Sequence, residues 1–372
     1  MKEKLDQLHQ RLTGTVLGSE DASFLLLVGL LANGHVLIQG PPGVGKTSLA
    51  STLSQSLAVR FKRVQFTPDL LPSDLVGYSL YHQGKQQFEF LPGPVFSNIL
   101  LADEINRTII FLHGFPAFWY VWKDELEQFG ETMWAIAPDG RGVNRSSKPA
   151  DAASYQIEYL AADVVGLADH LGVKQFVLVG HDWGGAVAWE VAQRYPQRVS
   201  HLVVANAPPW ASFMYSLATM PEQRQASEYM DRLKAKTAER IFLANNAERL
   251  WEVSFAPLVA RGHYSDTHKE HYLECWQTPG SLTGFLNWYR ANVPPFNEID
   301  GNKYRPNLSN RVKTKTLLLW GEDERAFTRP LLESIPEYCD QLVIQIVPGA
   351  NHWIHLKRPE LFAEAIQQFI KS

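Results

Sequence analysis

The chain has 372 residues, with 45% hydrophobic residues, 20% charged residues and a formal net charge of −4 at pH 7. This composition predicts a globular protein, and the lack of a basic excess argues against a nucleic-acid partner. The apolar run at residues 24–32 is far shorter than the roughly 20 residues of a membrane span, and the charged start MKEK argues against a signal peptide. Two cysteines, Cys275 and Cys339, form no metal-ligand pattern. We therefore expect a cytoplasmic protein that binds no metal through cysteines and no membrane.

A phosphate-binding loop is predicted near the start of the chain. Residues 2–31 have helical patterns, residues 35–39 suggest a short buried strand, and the sequence GPPGVGKT follows at residues 40–47. In such a Walker A loop the backbone N–H groups surround the phosphates, the lysine reaches the β- and γ-phosphates, and the next hydroxyl holds magnesium. A second strand at residues 98–102 precedes two acidic residues that suit a Walker B pair. The predicted ligands are ATP and magnesium, and the predicted nucleotide-binding residues are Gly40, Gly43, Gly45, Lys46, Thr47, Asp103 and Glu104.

Residues 1–108 resemble the front of a MoxR-type AAA+ ATPase. The resemblance lies in the Walker segments and in the motifs QFTPDLLPSDL, FLPGP and LLADEINR, at residues 65–75, 90–94 and 100–107. It stops at about Thr108, whereas members of that family continue through a sensor strand, an arginine finger and a helical lid. The resemblance therefore implies nucleotide binding more than ATP turnover.

The next apolar strand, residues 109–112, follows the Walker B strand after only a few residues. A parallel crossover within one sheet needs a dozen or more residues, so this strand must begin a different unit. Strands and helices then alternate, which predicts a parallel sheet covered on both faces. We interpret the chain as a fusion of a partial P-loop NTPase segment, residues 1–108, with an α/β unit, residues 109–372.

The α/β unit contains one very long interval between strands. Its predicted strands are residues 109–112, 132–137, 176–179, 199–206, 314–320 and 342–347, and its clearest helices are residues 155–171 and 359–370. More than a hundred residues separate the fourth strand from the fifth, which is too long for a loop. Because this interval is rich in helical stretches and aromatic residues, we expect a cap domain inserted at about residues 207–310.

The segment GHDWGG at residues 180–185 places a carboxylate at an abrupt strand-to-helix turn. Gly180, Gly184 and Gly185 permit the strained backbone of a nucleophile elbow, in which Asp182 takes the place that serine has in the G-x-S-x-G form. A carboxylate that attacks a saturated carbon forms an ester that a base-activated water can hydrolyse, whereas serine would form an inert ether. The sequence therefore predicts Asp182 as a nucleophile for an epoxide or an alkyl halide; the alternative is a helix-capping aspartate.

The other groups of the site are expected in the order nucleophile, acid, histidine. His352 follows the last strand, in a loop opened by Gly349, and is the predicted base; His355 is the weaker alternative. The backbone N–H groups of Phe115 and Trp183 are predicted to form an oxyanion hole for the ester carbonyl.

Residues 109–372 resemble the epoxide hydrolase branch of the α/β-hydrolases. The resemblance is carried by the motifs HGFP, DGRG, GHDWGG and LNWYR, at residues 113–116, 139–142, 180–185 and 286–290. It implies an α/β-hydrolase fold with a helical cap, conversion of a small-molecule epoxide to a vicinal diol through an ester on Asp182, and no cofactor for this reaction. The family normally has an antiparallel strand pair before the strand that leads to His113, where this chain has ATPase sequence.

The resemblance also implies an orienting acid and two proton donors. Relatives usually place an aspartate at the fourth position of the segment GEDE, residues 321–324. This position is Glu324, our first choice, and Asp323 is the alternative. Two cap tyrosines bind and protonate the epoxide oxygen in that branch; Tyr289 matches the second, and Tyr229 has a suitable spacing for the first.

Two other functions remain open at this stage. In a haloalkane dehalogenase Trp183 would donate to the halide, although Phe115 stands where many dehalogenases have asparagine. In a MoxR-type ATP-binding module the hydrolase would be a passenger, although the missing lid argues against this. The sequence determines neither the substrate and its stereochemistry nor the oligomeric state.

Overall fold

The computed structural model describes residues 2–16, 20–32, 34–36, 38, 45–57, 59–65, 72–82, 87–103 and 108–371. The chain divides into two compact units, Met1–Asn106 and Arg107–Ser372. The sequence placed this boundary slightly later, after Thr108. Within the described ranges, every helix is too short or too polar to span a bilayer.

The first unit combines helices with two small sheets. Its described helices are α1 (Lys2–Thr15), α2 (Glu20–Leu31), α3 (Lys46–Ser56) and α4 (Pro72–Val76). Its described strands are β1 (Phe61–Gln65), β2 (Gly77–His82), β3 (Gln87–Pro92) and β4 (Ile99–Asp103). Strand β1 pairs in parallel with β4, whereas β2 and β3 form an antiparallel hairpin. A small apolar cluster is built on leucines of the first three helices: Leu12, Leu26, Leu27, Leu49 and Leu53.

Part of the predicted Walker A loop lies at the start of α3. Gly45 has a φ of +82°, in the left-handed region that favours glycine, and its carbonyl accepts from the N–H of Leu49 at 2.8 Å. Helix α3 begins at Lys46 and continues through Thr47. Strand β4 ends at Asp103.

The remaining predicted nucleotide-binding residues, Gly40, Gly43 and Glu104, lie outside the described residues. The strand predicted at residues 35–39 is not formed at His35, Val36 or Ile38, the three of its residues that the structure describes.

The second unit is built on a parallel sheet. Its strands are β5 (Thr108–Leu112), β6 (Trp134–Ile136), β7 (Phe176–His181), β8 (Val199–Ala205), β9 (Thr316–Gly321) and β10 (Leu342–Val347). They are arranged in the order β10-β9-β8-β7-β5-β6, and every pairing is parallel. Strands β5, β7 and β9 are buried along their whole length, which explains their continuous apolar sequences.

Helices cover this sheet and form a long insertion. The helices before the insertion are α5 (Lys123–Gly130), α6 (Ile157–His170) and α7 (Trp183–Arg194). The insertion between β8 and β9 contains α8 (Trp210–Thr219), α9 (Pro221–Ser227), α10 (Tyr229–Lys234), α11 (Ala238–Leu243), α12 (Glu248–Ser254), α13 (Ala256–Val259), α14 (Lys269–Gln277) and α15 (Ser281–Asn292). The helices after it are α16 (Arg329–Ser334), α17 (Ile354–Lys357) and α18 (Pro359–Phe369). The predicted parallel α/β fold with a helical cap is confirmed.

Strand β6 is much shorter than the sequence indicated, whereas β8 and β9 differ from their predicted bounds by only one or two residues. The apolar pattern predicted a strand at residues 132–137, but β6 covers only Trp134–Ile136. The N–H groups of Thr132 and Met133 both donate to the carbonyl of Phe129, at 3.1 and 2.8 Å, so these two residues belong to the turn that follows α5. This short strand is the edge of the sheet, and the antiparallel pair typical of the family is not part of the six described strands.

Helix α5 carries a buried carboxyl group. Glu125 is 5% exposed, and burial raises its pKa to about 8. The unfolded chain releases this proton near pH 4.5, whereas the folded protein keeps it up to about pH 8. The contribution of Glu125 to stability is therefore fully present below pH 4.5 and is lost as the pH rises to about 8.

We expect Glu125→Gln to remove this pH dependence. At pH 8 its free energy of unfolding should exceed that of the parent by on the order of 3 kcal/mol, and the difference should shrink towards pH 4.5. Urea unfolding followed by tryptophan fluorescence measures this unit alone, because all 11 tryptophans lie after residue 107. The control is Glu127→Gln on the exposed face of α5; equal pH profiles for both variants would contradict the assignment.

Candidate active site

The predicted nucleophile lies on a strained turn between β7 and α7. Asp182 has a φ of 53° and a ψ of −123°, a conformation that costs a non-glycine residue roughly 1–3 kcal/mol. The turn also packs closely against β5. A Cβ atom on Gly184 would lie 2.1 Å from the carbonyl oxygen of Leu112, so no larger residue fits there. The strand and helix on either side hold the carboxylate at the edge of the sheet.

Both oxygens of the Asp182 carboxylate have defined neighbours. Oδ1 accepts a hydrogen bond from the backbone N–H of Phe115 at 2.8 Å, and Oδ2 lies 3.4 Å from Nε2 of His352. Burial raises the pKa of Asp182, but the hydrogen bond and the charge of His352 outweigh it and lower the pKa below its usual value. The backbone N–H of Trp183 acts in the same direction. Asp182 is therefore an anion whose Oδ1 lies against the predicted oxyanion-hole donor.

His113 fixes the turn that presents Phe115. Its Nε2 accepts from the N–H of Gly140 at 3.0 Å, so its Nδ1 carries the proton and donates to the carbonyl of Gly114 at 3.1 Å. Burial lowers the pKa of His113, which favours this neutral form. Gly114 lies very close to the Asp182 carboxylate, because a Cβ atom on this glycine would lie 2.2 Å from Oδ1 of Asp182. The HGFP motif thus positions a backbone donor.

The structure distinguishes the two candidate acids. Nδ1 of His352 lies 2.7 Å from Oε2 of Glu324, whose side chain is 1% exposed and whose Oε1 accepts from the N–H of Ala326 at 2.6 Å. Asp323 is exposed, and its backbone N–H donates to Ala350. Glu324 is therefore the carboxylate in contact with His352. The additional methylene group of glutamate does not prevent this contact.

The alternative base lies deeper in the core. His355 is 1% exposed, and its ring packs at 4.5 Å from that of Trp122 and at 4.7 Å from that of His181. Burial lowers the pKa of His355 to about 3. Of the two histidines, His352 is the one paired with Asp182.

The two carboxylates determine the protonation of His352. Burial alone lowers the pKa of this imidazole, but the charges and hydrogen bonds of Glu324 and Asp182 outweigh the effect and raise the pKa to about 10. The resting site at neutral pH therefore contains an imidazolium between two carboxylates. A change in the charge of either carboxylate changes the basicity of His352.

A small cavity opens beside Asp182. Its lining is mostly apolar and consists of Asp182, Trp183, Ala186, Ala207, Pro208, Trp210, Phe213, Tyr229, Met230, Tyr289 and Phe327. Both predicted tyrosines are thus brought to the nucleophile. Burial raises the pKa of Tyr289 and of Tyr229, and the charge of Asp182 adds to the effect, so both phenols keep their protons at neutral pH.

The cap helix α15 is anchored to the rest of the unit. The indole of Trp288 donates to the carbonyl of Arg141 at 2.9 Å, and the ring of Tyr289 packs against Trp183 at 5.1 Å. Arg290 forms two hydrogen bonds with Glu239 of α11, at 2.6 and 2.9 Å. The LNWYR motif therefore presents Tyr289 to the cavity and joins two cap helices, a role that the sequence reasoning did not assign to Arg290.

Comparison with known proteins identifies both parts of the chain. A family model described as the alpha/beta hydrolase fold matches residues 107–359, and a model of the ATPase family associated with various cellular activities matches residues 35–111. Epoxide hydrolase 2 of Caenorhabditis elegans is 30% identical over 273 residues, which cover 71% of this chain and 74% of that protein.

A solved structure and a second relative also match parts of this chain. The crystal structure of a variant of an epoxide hydrolase from Bacillus megaterium matches with a TM-score of 0.67 and 28% identity, covering 72% of this chain and 94% of that chain. The uncharacterized protein YeaC of Bacillus subtilis is 50% identical over 99 residues, which cover 27% of this chain and 31% of YeaC. The chain belongs to the α/β-hydrolase family, as a hydrolase of the epoxide hydrolase type fused to an AAA-like segment.

Proposed function

We propose that the second unit opens epoxides to vicinal diols through an ester on Asp182. The observation that carries the proposal is that Asp182 lines one cavity with Tyr229 and Tyr289, while its carboxylate contacts His352. The cavity thus combines a carboxylate nucleophile with phenolic proton donors. The mostly apolar lining suits a small, largely hydrocarbon epoxide.

In the first step an oxygen of Asp182 attacks an epoxide carbon, and the bond from that carbon to the ring oxygen breaks. The ring oxygen takes the electron pair and accepts a proton from Tyr289 or Tyr229. Such general acid catalysis typically contributes 10²- to 10⁴-fold. The product is a neutral ester on Asp182 and a tyrosinate.

The second step uses His352 as a base. Ester formation removes the charge of Asp182, which lowers the pKa of His352, so the imidazolium can return a proton to the tyrosinate. Neutral His352 then accepts a proton from a water that attacks the ester carbonyl. The oxyanion accepts from the N–H groups of Phe115 and Trp183.

The last events restore the starting state. As the tetrahedral intermediate collapses, the departing oxygen of the diol takes a proton from His352. The second proton of the water remains on Asp182 and passes to His352. The sum is one epoxide and one water converted to one diol.

A halide leaving group fits this cavity less well. A departing halide needs donors that spread its charge and takes no proton. The indole of Trp183 could donate to it, but the side chain of Phe115 could not. The two phenols beside Asp182 are valuable for an alkoxide leaving group, which needs a proton.

For the first unit we infer nucleotide binding without ATP turnover. Gly45 has the left-handed backbone of a Walker A loop, and Lys46 starts a helix as that loop requires. The AAA-like sequence ends at residue 111, where the hydrolase has begun.

Removal of the base should trap the ester. We expect His352→Gln mixed with styrene oxide to accumulate a substrate-sized mass on the peptide that contains Asp182, because alkylation proceeds and hydrolysis does not. Peptide mass spectrometry measures this, with Asp182→Ala as the negative control and His355→Gln as the control for the alternative base. An adduct on another residue, or accumulation only in His355→Gln, would contradict the assignment.

Removal of a phenol from the cavity should slow the first step, the alkylation of Asp182. Tyr289→Phe should slow alkylation of Asp182 by about 10²- to 10⁴-fold, Tyr229→Phe should act similarly, and hydrolysis of the preformed ester should change much less. Single-turnover kinetics separate the two rates.

The matched control is Tyr272→Phe, a buried cap tyrosine whose hydroxyl pairs with Tyr264 instead. If both cavity variants open epoxides at the parent rate, or if the parent releases halide from alkyl halides much faster than it opens epoxides, the dehalogenase assignment replaces ours.

The purified protein should bind ATP and turn it over negligibly. Equilibrium dialysis should detect binding that Lys46→Ala abolishes, because this lysine would contact the phosphates. Phosphate release should not exceed that of the variant. Turnover at or above about 1 s⁻¹ that depends on Lys46 would show that the first unit is a working ATPase.

A further inference from the structure

We propose that Asn206 is a positioning residue for His352 and that it serves ester hydrolysis while ring opening does not depend on it. The inference rests on the proposed roles of Asp182 and His352 and adds a residue that the reaction scheme does not contain. It also explains why an uncharged amide occupies the end of β8.

Asn206 makes three hydrogen bonds from a completely buried position. It directly follows β8 and has a φ of 46°, in the left-handed region that asparagine tolerates better than most residues. Its Oδ1 accepts from the N–H of Gly321 at 2.8 Å. Its Nδ2 donates to the carbonyls of Asn351 and His352, at 2.9 and 2.8 Å. One amide thus joins the ends of β8 and β9 to the loop of the base.

The carbonyl of His352 receives a second hydrogen bond. Nε2 of His181 lies 2.7 Å from this oxygen and, because a carbonyl can only accept, it must carry the proton. His181 precedes the nucleophile in the chain and is fully buried. The main chain of the base is therefore tied both to β8 and to the residue beside Asp182.

These bonds complement the contact with Glu324. Glu324 orients the imidazole ring, whereas Asn206 and His181 locate the backbone from which the ring extends. Ring opening requires the Asp182 carboxylate, which Phe115 holds independently, and a phenol. Hydrolysis requires in addition that Nε2 of His352 is aligned with the water and the ester carbonyl. Loss of the backbone anchor should therefore slow the second step selectively.

The chemistry of the three contacts explains the residue type. Two carbonyl oxygens need donors and one N–H group needs an acceptor, and an asparagine amide supplies both. An aspartate has the same shape and tolerates the left-handed backbone, but it would set a carboxylate oxygen against the two carbonyls. Asn206→Asp is thus a shape-conserving change that removes the donors.

The test compares the two steps in Asn206→Asp and Asn206→Gly, with styrene oxide as the probe. We expect alkylation of Asp182 to stay near the parent rate and ester hydrolysis to slow by about 10²-fold, the typical effect of a misplaced catalytic group. The ester should then accumulate on Asp182 during turnover. Rapid-quench peptide mass spectrometry measures its steady-state fraction.

A matched control is available in the cap. Asn292 has the same pattern of bonds: its Oδ1 accepts from Ile157 at 2.8 Å, and its Nδ2 donates to the carbonyls of Tyr155 and Trp288, both at 2.8 Å. Because these bonds do not touch the loop of His352, Asn292→Asp should accumulate no ester. Accumulation in this variant as well would overturn the specific role of Asn206.

His181 provides a second test that does not depend on Asn206 variants being folded. His181→Gln keeps a donor near the position of Nε2 and should hydrolyse the ester at close to the parent rate, whereas His181→Phe should accumulate it.

Equal slowing of alkylation and hydrolysis, or a loss of thermal stability without ester accumulation, would overturn the inference. If the His352→Gln variant forms no ester, the proposed function itself is refuted. The two failures are therefore distinct.

Discussion

The charge arrangement around His352 is the interaction on which the rest of the site depends. One imidazole lies between two carboxylates, with Glu324 at 2.7 Å from one nitrogen and Asp182 at 3.4 Å from the other. Together they raise the pKa of His352 to about 10 despite its burial. His352 therefore stays protonated as long as Asp182 is charged. In the proposed reaction, alkylation removes that charge and so produces a base only after the ester has formed.

The parallel sheet brings these groups together. Chain segments that follow five strands meet at the same edge because parallel strands all end there, and this edge is where ligands bind in open α/β sheets. The residues that follow β5, β7, β8, β9 and β10 are, in that order, Phe115, Asp182, Asn206, Glu324 and His352. The site therefore draws on strands of the second unit alone. The AAA-like sequence supplies none of these residues.

The cap adds what the sheet lacks. In the proposed reaction, the edge of the sheet supplies the nucleophile, the base and backbone donors, and the proton for the leaving oxygen comes from elsewhere. Helices α10 and α15 place Tyr229 and Tyr289 in the cavity, where burial keeps both phenols protonated. The Arg290–Glu239 pair joins α15 to α11, so the cap has internal ties besides its apolar packing. In the proposed scheme the sheet performs hydrolysis and the cap supports ring opening.

The amino-acid sequence by itself determined the elbow around Asp182, the parallel α/β order and the long cap insertion. Each of these features follows from adjacent residues or from the spacing of apolar segments. Only the tertiary structure decided between Glu324 and Asp323, since neighbouring side chains point in different directions and one of them reaches His352. It also revealed the hydrogen bonds of Asn206, whose partners Asn351 and His352 lie 145 and 146 positions away. Local periodicity carries no information about such partners. Hydrogen bonds between strand ends exist only after the sheet has brought those ends to one edge.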